Sequence, residues 1–370
     1  MFLMNGFYMG SWAPKIPIFA EKLGLSEGEL GLMILVFGIG SILAMPLAGI
    51  FNARFGSTKV SKAAALMFLP MLILITLSNT IWLAAIVIFL FGGLMASMDV
   101  TINANTVAVE KVEHRAIMSS CHAFWSLGGL LGAGFGGVLI ATTGPLGHAL
   151  AATILAGLFL AVGFPRLIED TPTGEERHQK IRLPMTPLPW LIGIVALFSM
   201  IPEGAIMDWS ALYLHDELGV DIAWAGFGFA AFQLSMTTMR FAGDHVRDRL
   251  GGVTTMRICA VLSFTGLLFA GLAPSTFLTI VGFAIAGLGI SNMVPIAFSA
   301  VGNLPGLAPG IGLSVATTLG YSGILVAPSA IGFLAEHTGF SPIFTGLSLL
   351  PVIVFLMAPM MRYADRDRIG

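Results

Sequence analysis

Apolar residues run along this chain in stretches of about 20 to 30 positions, each ended by a short cluster of Gly, Pro or charged residues. Runs of that length and continuity predict helices that cross a bilayer, whose hydrocarbon core of ~30 Å takes about 20 residues at 1.5 Å each. Twelve are expected. The first six lie near residues 1–20, 28–51, 58–77, 80–109, 117–142 and 145–165, and the second six near 189–214, 221–243, 252–273, 275–302, 308–335 and 341–362. Between the sets runs the longest polar stretch, Arg166 to Met185, with TPTGEERHQK at its centre and Pro172, Pro184, Pro187 and Pro189 around it. It reads as a linker. The expected organisation is an all-α polytopic membrane protein with a six-helix half over 1–165, a cytoplasmic linker over 166–188 and a second six-helix half over 189–370.

Composition agrees and excludes much else. Of 370 residues 56% are hydrophobic and only 10% charged, against roughly 25% charged in a soluble domain. Such scarce charge serves a surface that mostly faces lipid. The net charge is −2 and no basic block stands out, which argues against nucleic acid as a partner. Cys121 and Cys259 lie inside apolar segments and are expected as thiols. Placing the amino terminus inside puts all of the 18 Lys and Arg residues except Lys15 and Lys22 on the cytoplasmic side. An odd number of spans would destroy that alternation. Both termini are therefore expected in the cytoplasm of a cell whose inner membrane holds the chain, which is expected to act as a monomer.

The two sets of six are related by a shift of 195 positions. Leu23-Gly24 matches Leu218-Gly219, Gly31 matches Gly226, Arg54-Phe55-Gly56 matches Arg249-Leu250-Gly251, Gly92 matches Gly287, Gly128 matches Gly323, and Thr143-Gly144 matches Thr338-Gly339. Because six is even, both halves enter the membrane from the same side, as in a parallel repeat about the membrane normal. By the same shift the counterpart of segment seven would begin about six residues before Met1, so segment one reads as clipped at its start. The basic flank and small-residue cleavage site of a signal peptide are not seen there.

The loop after segment two, Gly49-Ile-Phe-Asn-Ala-Arg-Phe-Gly56 followed by Lys59, resembles the G-x-x-x-D-R-x-G signature of the major facilitator superfamily, with Ala53 in the acidic position. Its repeat, Gly243-Asp244-His-Val-Arg-Asp248-Arg249-Leu-Gly251, keeps the Asp-Arg-x-Gly core but has Asp244 where the leading Gly would stand. Three further runs are similar to the YbjJ-like bacterial inner-membrane permeases, a branch akin to the fucose permease group. They are Asp99-Val-Thr-Ile-Asn103-Ala-Asn105, Ile117 to Gly129 with His122 and Trp125, and Glu203-Gly-Ala-Ile-Met-Asp208-Trp209-Ser-Ala-Leu-Tyr213. The resemblance covers essentially the whole chain and implies a twelve-helix secondary transporter. For Asp99 it implies a part in proton coupling, as for the segment-four carboxylate of fucose permease.

The residues themselves point to the same short list. A carboxylate at mid-membrane costs at least ~2.5–3.5 kcal/mol on insertion scales, so each one needs a partner, a cavity or a proton. Asp99 lies about 16 Å along a helix from Glu110, which should mark the cytoplasmic surface. Asn103 and Thr106 continue its stripe at i+4 and i+7. Asp99 is either a proton or substrate site or a structural clasp between helices. Pro202-Glu203-Gly204 sets an acid between two helix breakers, about 21 Å from the inner surface; it either lines the pathway or holds the bend by internal pairing. Asp208-Trp209 and Ser11-Trp12 correspond in the two halves with a slip of two, which would let paired tryptophans face each other. Lys15 is the one base in the outer part of segment one and is expected to pair with Asp208 or Glu203 in one conformation, forming an outer gate or neutralising a buried acid, or else to snorkel to the headgroups. His122, one to two turns from Ser119, Trp125, Ser126 and Gly129, is a proton shuttle or a satisfied core histidine.

Gly128, Gly132 and Gly136, and in segment eleven Gly312, Gly320, Gly323 and Gly332, are expected to pack the halves together as they rock, or to pack against lipid. At the cytoplasmic ends Arg54, Arg240, Arg247 and Arg249 face the acids Asp244, Asp248, Glu110 and Glu113, forming a latch or standing as solvated loop charges. Trp82, Trp190 and Trp224 fall where interfacial anchors are expected, leaving Trp12, Trp125 and Trp209 free to stack on a solute. No hydrolytic triad spacing, metal-ligand cluster or ATP-binding loop is evident, so no enzyme, metal, cofactor or ATP-driven pump is expected. The expectation is a secondary transporter that moves a small polar solute, a sugar or related metabolite, by proton symport. Efflux of amphipathic compounds and a non-transporting sensor with the carrier fold are the alternatives.

Overall fold

In the computed structural model the helix breaks fall where Gly and Pro interrupt the apolar runs. Residues 1–25, 27–170, 184–220, 227–307 and 309–365 are described. The linker centre TPTGEERHQK with Pro172, Arg177, Lys180 and Arg182, the anchor Trp224, and Arg366 and Arg368 lie outside them.

The first span consists of α1 (Phe2–Trp12) and α2 (Ile16–Leu23), joined by a 3-10 turn at Ala13–Lys15. Spans two to four are α3 (Glu27–Phe55), the pair α4 (Ser57–Phe68) and α5 (Met71–Leu77), and α6 (Ile81–Glu113). Spans five and six, together labelled α7 (Met118–Gly163), are two helices separated by a sharp turn at Gly144, whose φ of 74° precedes Pro145. In the second set, spans seven to nine are α8 (Leu188–Leu212), α9 (Phe227–Leu250) and α10 (Gly252–Leu272). Span ten is α11 (Thr276–Ile290) with α12 (Met293–Gly302), span eleven is α13 (Pro309–Thr338), and span twelve is α14 (Phe340–Leu347) with α15 (Leu349–Met357). The expected segments are all present among the described residues; 221–226, with Gly226 of the repeat, and 308, where segments eight and eleven are expected to begin, lie outside them. Span eight runs past its expected end at 243 because Asp244 to Arg249 stay helical until Gly251, whose φ is 81°. Charge ends a hydropathy run but does not end a helix.

The repeat is also written in the backbone. Gly24 and Gly219, Gly56 and Gly251, and Gly144 and Gly339 are three pairs at the 195 shift, and all six adopt the left-handed φ of 63–83° that favours glycine. A polar pair obeys the same shift. Asp170 accepts from the backbone N–H groups of Ser57 (3.0 Å) and Thr58 (3.2 Å) at the start of α4, and Asp365 accepts from the N–H of Gly252 at the start of α10. Each carboxylate satisfies donors that a helix start leaves open.

The structure divides into two compact units, one of Met1–Val112, Cys121–Leu183 and Ala308–Ser314, the other of Glu113–Ser120, Pro184–Leu307 and Val315–Gly370. The two exchanged pieces, 113–120 and 308–314, are themselves counterparts under the shift.

Within the first unit α1 lies against the first part of α7, both running in the same direction. A methyl group at Gly6 would overlap the Trp125 carbonyl, one at Gly10 the Gly129 carbonyl, and ones at Gly128 and Gly132 the carbonyls of Leu3 and Phe7. The small-residue stripe of span five therefore packs against span one of its own unit, which corrects the expectation that it joins the halves. Gly320 and Gly323 do the same in the second unit, meeting Ala196, Met200, Leu197 and Ile201 of α8. Close backbone approach supplies the contact energy that lipid-bathed helices do not obtain from the hydrophobic effect. Around it the second unit packs an aromatic core of Tyr213, Phe232, Phe283, Phe340 and Phe344.

Gly10→Leu is expected to lower the melting temperature of the detergent-solubilised protein, through overpacking of about 1–3 kcal/mol. Gly157→Leu, at a site with open space around the α-carbon, should leave it nearly unchanged.

Candidate functional site

Two polar clusters lie inside the helical spans, one in each unit. In the first, α6 carries Asp99, 3% exposed, and Asn103, fully buried. The Asn103 amide nitrogen donates to the Asp99 backbone carbonyl (2.9 Å) and to its carboxylate Oδ1 (3.3 Å), as i+4 spacing on a helix allows. On its other side the Asn103 Oδ1 meets His122 Nε2 of α7 at 3.1 Å. Asn103 thus bridges a buried carboxylate and a half-buried imidazole. One turn away, Trp125 Nε1 donates to Asn5 Oδ1 (3.1 Å), and Asn5 Nδ2 donates to the Met95 carbonyl (3.2 Å). Asn5 joins α1, α6 and α7. Its sequence signal was a lone amide in an apolar segment.

The second cluster rests on two proline-induced defects. Pro202 inside α8 has no N–H, which leaves the adjoining turn open beside Glu203. In span ten, Pro295 likewise has no N–H to give the carbonyl of Ser291, and the helix breaks at Ser291-Asn292 between α11 and α12. Arg240 of α9 serves both sites: its Nε donates to the Ser291 carbonyl (3.2 Å) and its Nη2 to Glu203 Oε1 (3.3 Å). The side chains are 5% and 24% exposed respectively. Arg240 stands ten positions before Leu250, about 15 Å up the helix. It is therefore not one of the cytoplasmic-end charges, as expected from sequence, but a cation inside the span. Beside it Asn292 donates to Ser291 Oγ (3.0 Å), while its own Oδ1 is buried against Gly243 without a hydrogen-bond partner.

Of the remaining predicted residues, Lys15 and Trp12 belong to the first unit and Asp208 and Trp209 to the second. Lys15, 4% exposed, donates to the Pro145 carbonyl (2.6 Å) within its own unit. Asp208 is exposed and, among the described residues, makes no hydrogen bond or ion pair. Trp12 packs edge-on against Phe19 and Phe91, at centroid distances of 5.3 and 6.1 Å. Trp209 lies 5.6 Å from Phe340, its buried indole N–H having no hydrogen-bond partner among the described residues. Cys121 and Cys259 form no disulfide, and among the described residues no cluster suited to a metal is found.

The signature loops hold helix starts. Asp244 accepts from the backbone N–H groups of Ser119 (2.9 Å) and Ser120 (2.7 Å) where α7 begins, and Asp248 from that of Ala116 (3.1 Å). The positive end of the helix and two open donors meet one carboxylate. At the matching place in the first unit Gly49 has no side chain and lies directly against Ser314 and the Gly310 carbonyl of the piece 308–314. Arg54 lies over the Phe55 ring at 5.5 Å. Arg247 bonds Ser299 Oγ (2.9 Å) and the Ala364 carbonyl (2.7 Å), with Asp365 3.5 Å from its Nε. Gly56 and Gly251 supply the left-handed turns after these loops, and Arg249 sits in the last turn of α9.

Removing one member of the buried pair leaves the other uncompensated. Glu203→Gln is expected to destabilise the protein by up to about 3 kcal/mol. Adding Arg240→Met should restore most of that loss, as read by thermal unfolding of the single and double variants.

Residues 1–323 match the Major Facilitator Superfamily. An MFS-type transporter of Yersinia pestis is 35% identical over 95% of this chain and 92% of its own length. The membrane protein MosC of Rhizobium meliloti is 33% identical over 100% of this chain and 89% of its own. The crystal structure of the Escherichia coli fucose:proton symporter superposes with a TM-score of 0.78 at 14% identity, covering 97% of this chain and 96% of that one. With the fold, the repeat and the signature loops in agreement, the chain belongs to the Major Facilitator Superfamily: it is a multi-pass membrane transporter and not an enzyme.

Proposed function

We propose that this transporter moves a small polar solute together with a proton, by alternating access of its two halves, in a bacterial inner membrane with both termini in the cytoplasm. The observation that carries the reading is Asp99, which is 3% exposed in mid-span and connected through Asn103 to His122. An ionised carboxylate there carries the desolvation cost of an apolar span, and taking up a proton removes it. Asn103 holds His122, whose reference pKa near 6.5 suits exchange at physiological pH, on the far side of its amide from the carboxylate; the amide passes on no proton, so exchange between the two groups runs through water. Neutral and charged Asp99 then favour different conformations, so that the proton gradient and the solute bias the same equilibrium. That the fold also serves a fucose:proton symporter is compatible with this coupling.

The test is proton entry into proteoliposomes carrying an internal pH dye, with a panel of sugars, polyols and organic acids added outside. At least one solute should drive proton entry, and Asp99→Asn should abolish entry while retaining solute exchange at equal concentrations on both sides. Proton entry that survives Asp99→Asn would remove the coupling assignment. Solute-driven proton release would replace symport by antiport, and no response to any solute would favour a non-transporting sensor.

A further inference from the structure

The cluster of the second unit has the form of a place kept for an anion. Arg240 is a buried cation fixed from behind by the Ser291 carbonyl, an acceptor that Pro295 leaves without its helical donor. In front, its Nη2 meets Glu203 Oε1 at 3.3 Å, longer than the usual 2.7–2.9 Å of a charge-assisted bond. Glu203 is the more open partner, 24% exposed against 5% for Arg240, and it directly follows Pro202, whose missing N–H leaves the preceding turn one hydrogen bond short. A partly exposed carboxylate inside an apolar span faces water or solute, since lipid contact there is too costly. Three elements, α8, α9 and the α11–α12 break, converge on it, and broken helices at mid-span mark binding positions in transporters. We infer that Arg240 is the binding residue for the carboxylate of an anionic solute, and that Glu203 occupies its guanidinium only while the site is empty.

The chemistry follows from the guanidinium fork, which matches a carboxylate in two parallel N–H···O bonds. An incoming carboxylate displaces Glu203, whose side chain turns toward the open side, so the charge count beside Arg240 stays constant. An amide of the same shape brings no charge and does not displace it. A purely structural clasp would bind neither. The inference rests on the reading of this chain as a carrier of polar solutes and narrows its cargo to acids; it does not depend on proton coupling.

The experiment is therefore one of binding, on purified protein in detergent without any gradient. Thermal stability is titrated with two matched pairs, lactate against lactamide and benzoate against benzamide, with sodium chloride matching ionic strength. The acids are expected to raise the melting temperature of the wild-type protein and the amides are not, since a ligand stabilises the state it binds. Glu203→Gln removes the competing carboxylate and should tighten acid binding about tenfold or more, while Arg240→Gln should abolish the difference between acid and amide. Arg240→Lys, which keeps the charge but not the fork, should weaken acid binding without abolishing it. Equal responses to acid and amide in the wild-type protein, or an acid preference that survives Arg240→Gln, would overturn the assignment. Loss of coupled transport in liposomes with acid binding intact would count against the proton reading alone.

Discussion

The constraint on which this structure depends is the cost of an unpaired charge or an open backbone group in hydrocarbon. With 20 acids and 18 Lys and Arg residues in 370 positions, each polar group inside the spans has to be accounted for. Many of the acids turn out to serve the backbone. Asp170, Asp365, Asp244 and Glu217 each accept from N–H groups at the start of a helix that is distant in sequence. One carboxylate thereby fixes where a helix begins and fastens it to another part of the chain. Arg240 does the complementary task for a carbonyl that a proline has stripped of its donor.

Packing and polarity are divided between the helices accordingly. Spans one and five meet along glycines where backbones touch, while in spans seven and eleven Gly320 and Gly323 make room for the side chains of Met200, Leu197 and Ile201. The polar clusters stand beside these seams. Asn5 and Trp125 belong to the seam of the first unit and connect it to α6, on which Asp99 and Asn103 follow within the next two turns. In the second unit Glu203 lies on the same helix that receives Gly320 and Gly323. Under the proposed coupling, a change in the protonation or pairing of either acid would be felt at a close helix contact. This is how a local charge event can bias the conformation of a carrier.

Much of this was legible in the sequence, for reasons that can be named. Spanning segments are set by the thickness of the bilayer and the lack of water, which write long apolar runs into any chain that crosses it. The repeat was legible because left-handed turns demand glycine, so Gly24, Gly56 and Gly144 and their counterparts could not drift. Asp99 with Asn103 was legible because the two are one helical turn apart. Partners remote in sequence were not. Nothing in the order of residues says that Asp170 caps Ser57, or that Arg240, ten positions from a charged helix end, pairs with Glu203. Asp170 and Asp365 do share the 195 shift, a signal hidden because single acids beyond a helix end carry no pattern of their own. The break at Ser291-Asn292 was foreshadowed by two polar residues and a following Pro295 inside an otherwise apolar run. Hydropathy averages over such a defect. The glycines of span five were correctly read as a close-packing face, but the identity of the neighbour depends on tertiary structure.

The proposed coupling places the proton on Asp99, and infrared difference spectroscopy of the protein between acid and alkaline buffer observes that group directly. A carboxyl C=O band from a protonated acid, shifted by deuterium exchange and missing in Asp99→Asn, is the predicted result. A wild-type spectrum whose carboxyl bands are all retained in Asp99→Asn would contradict it.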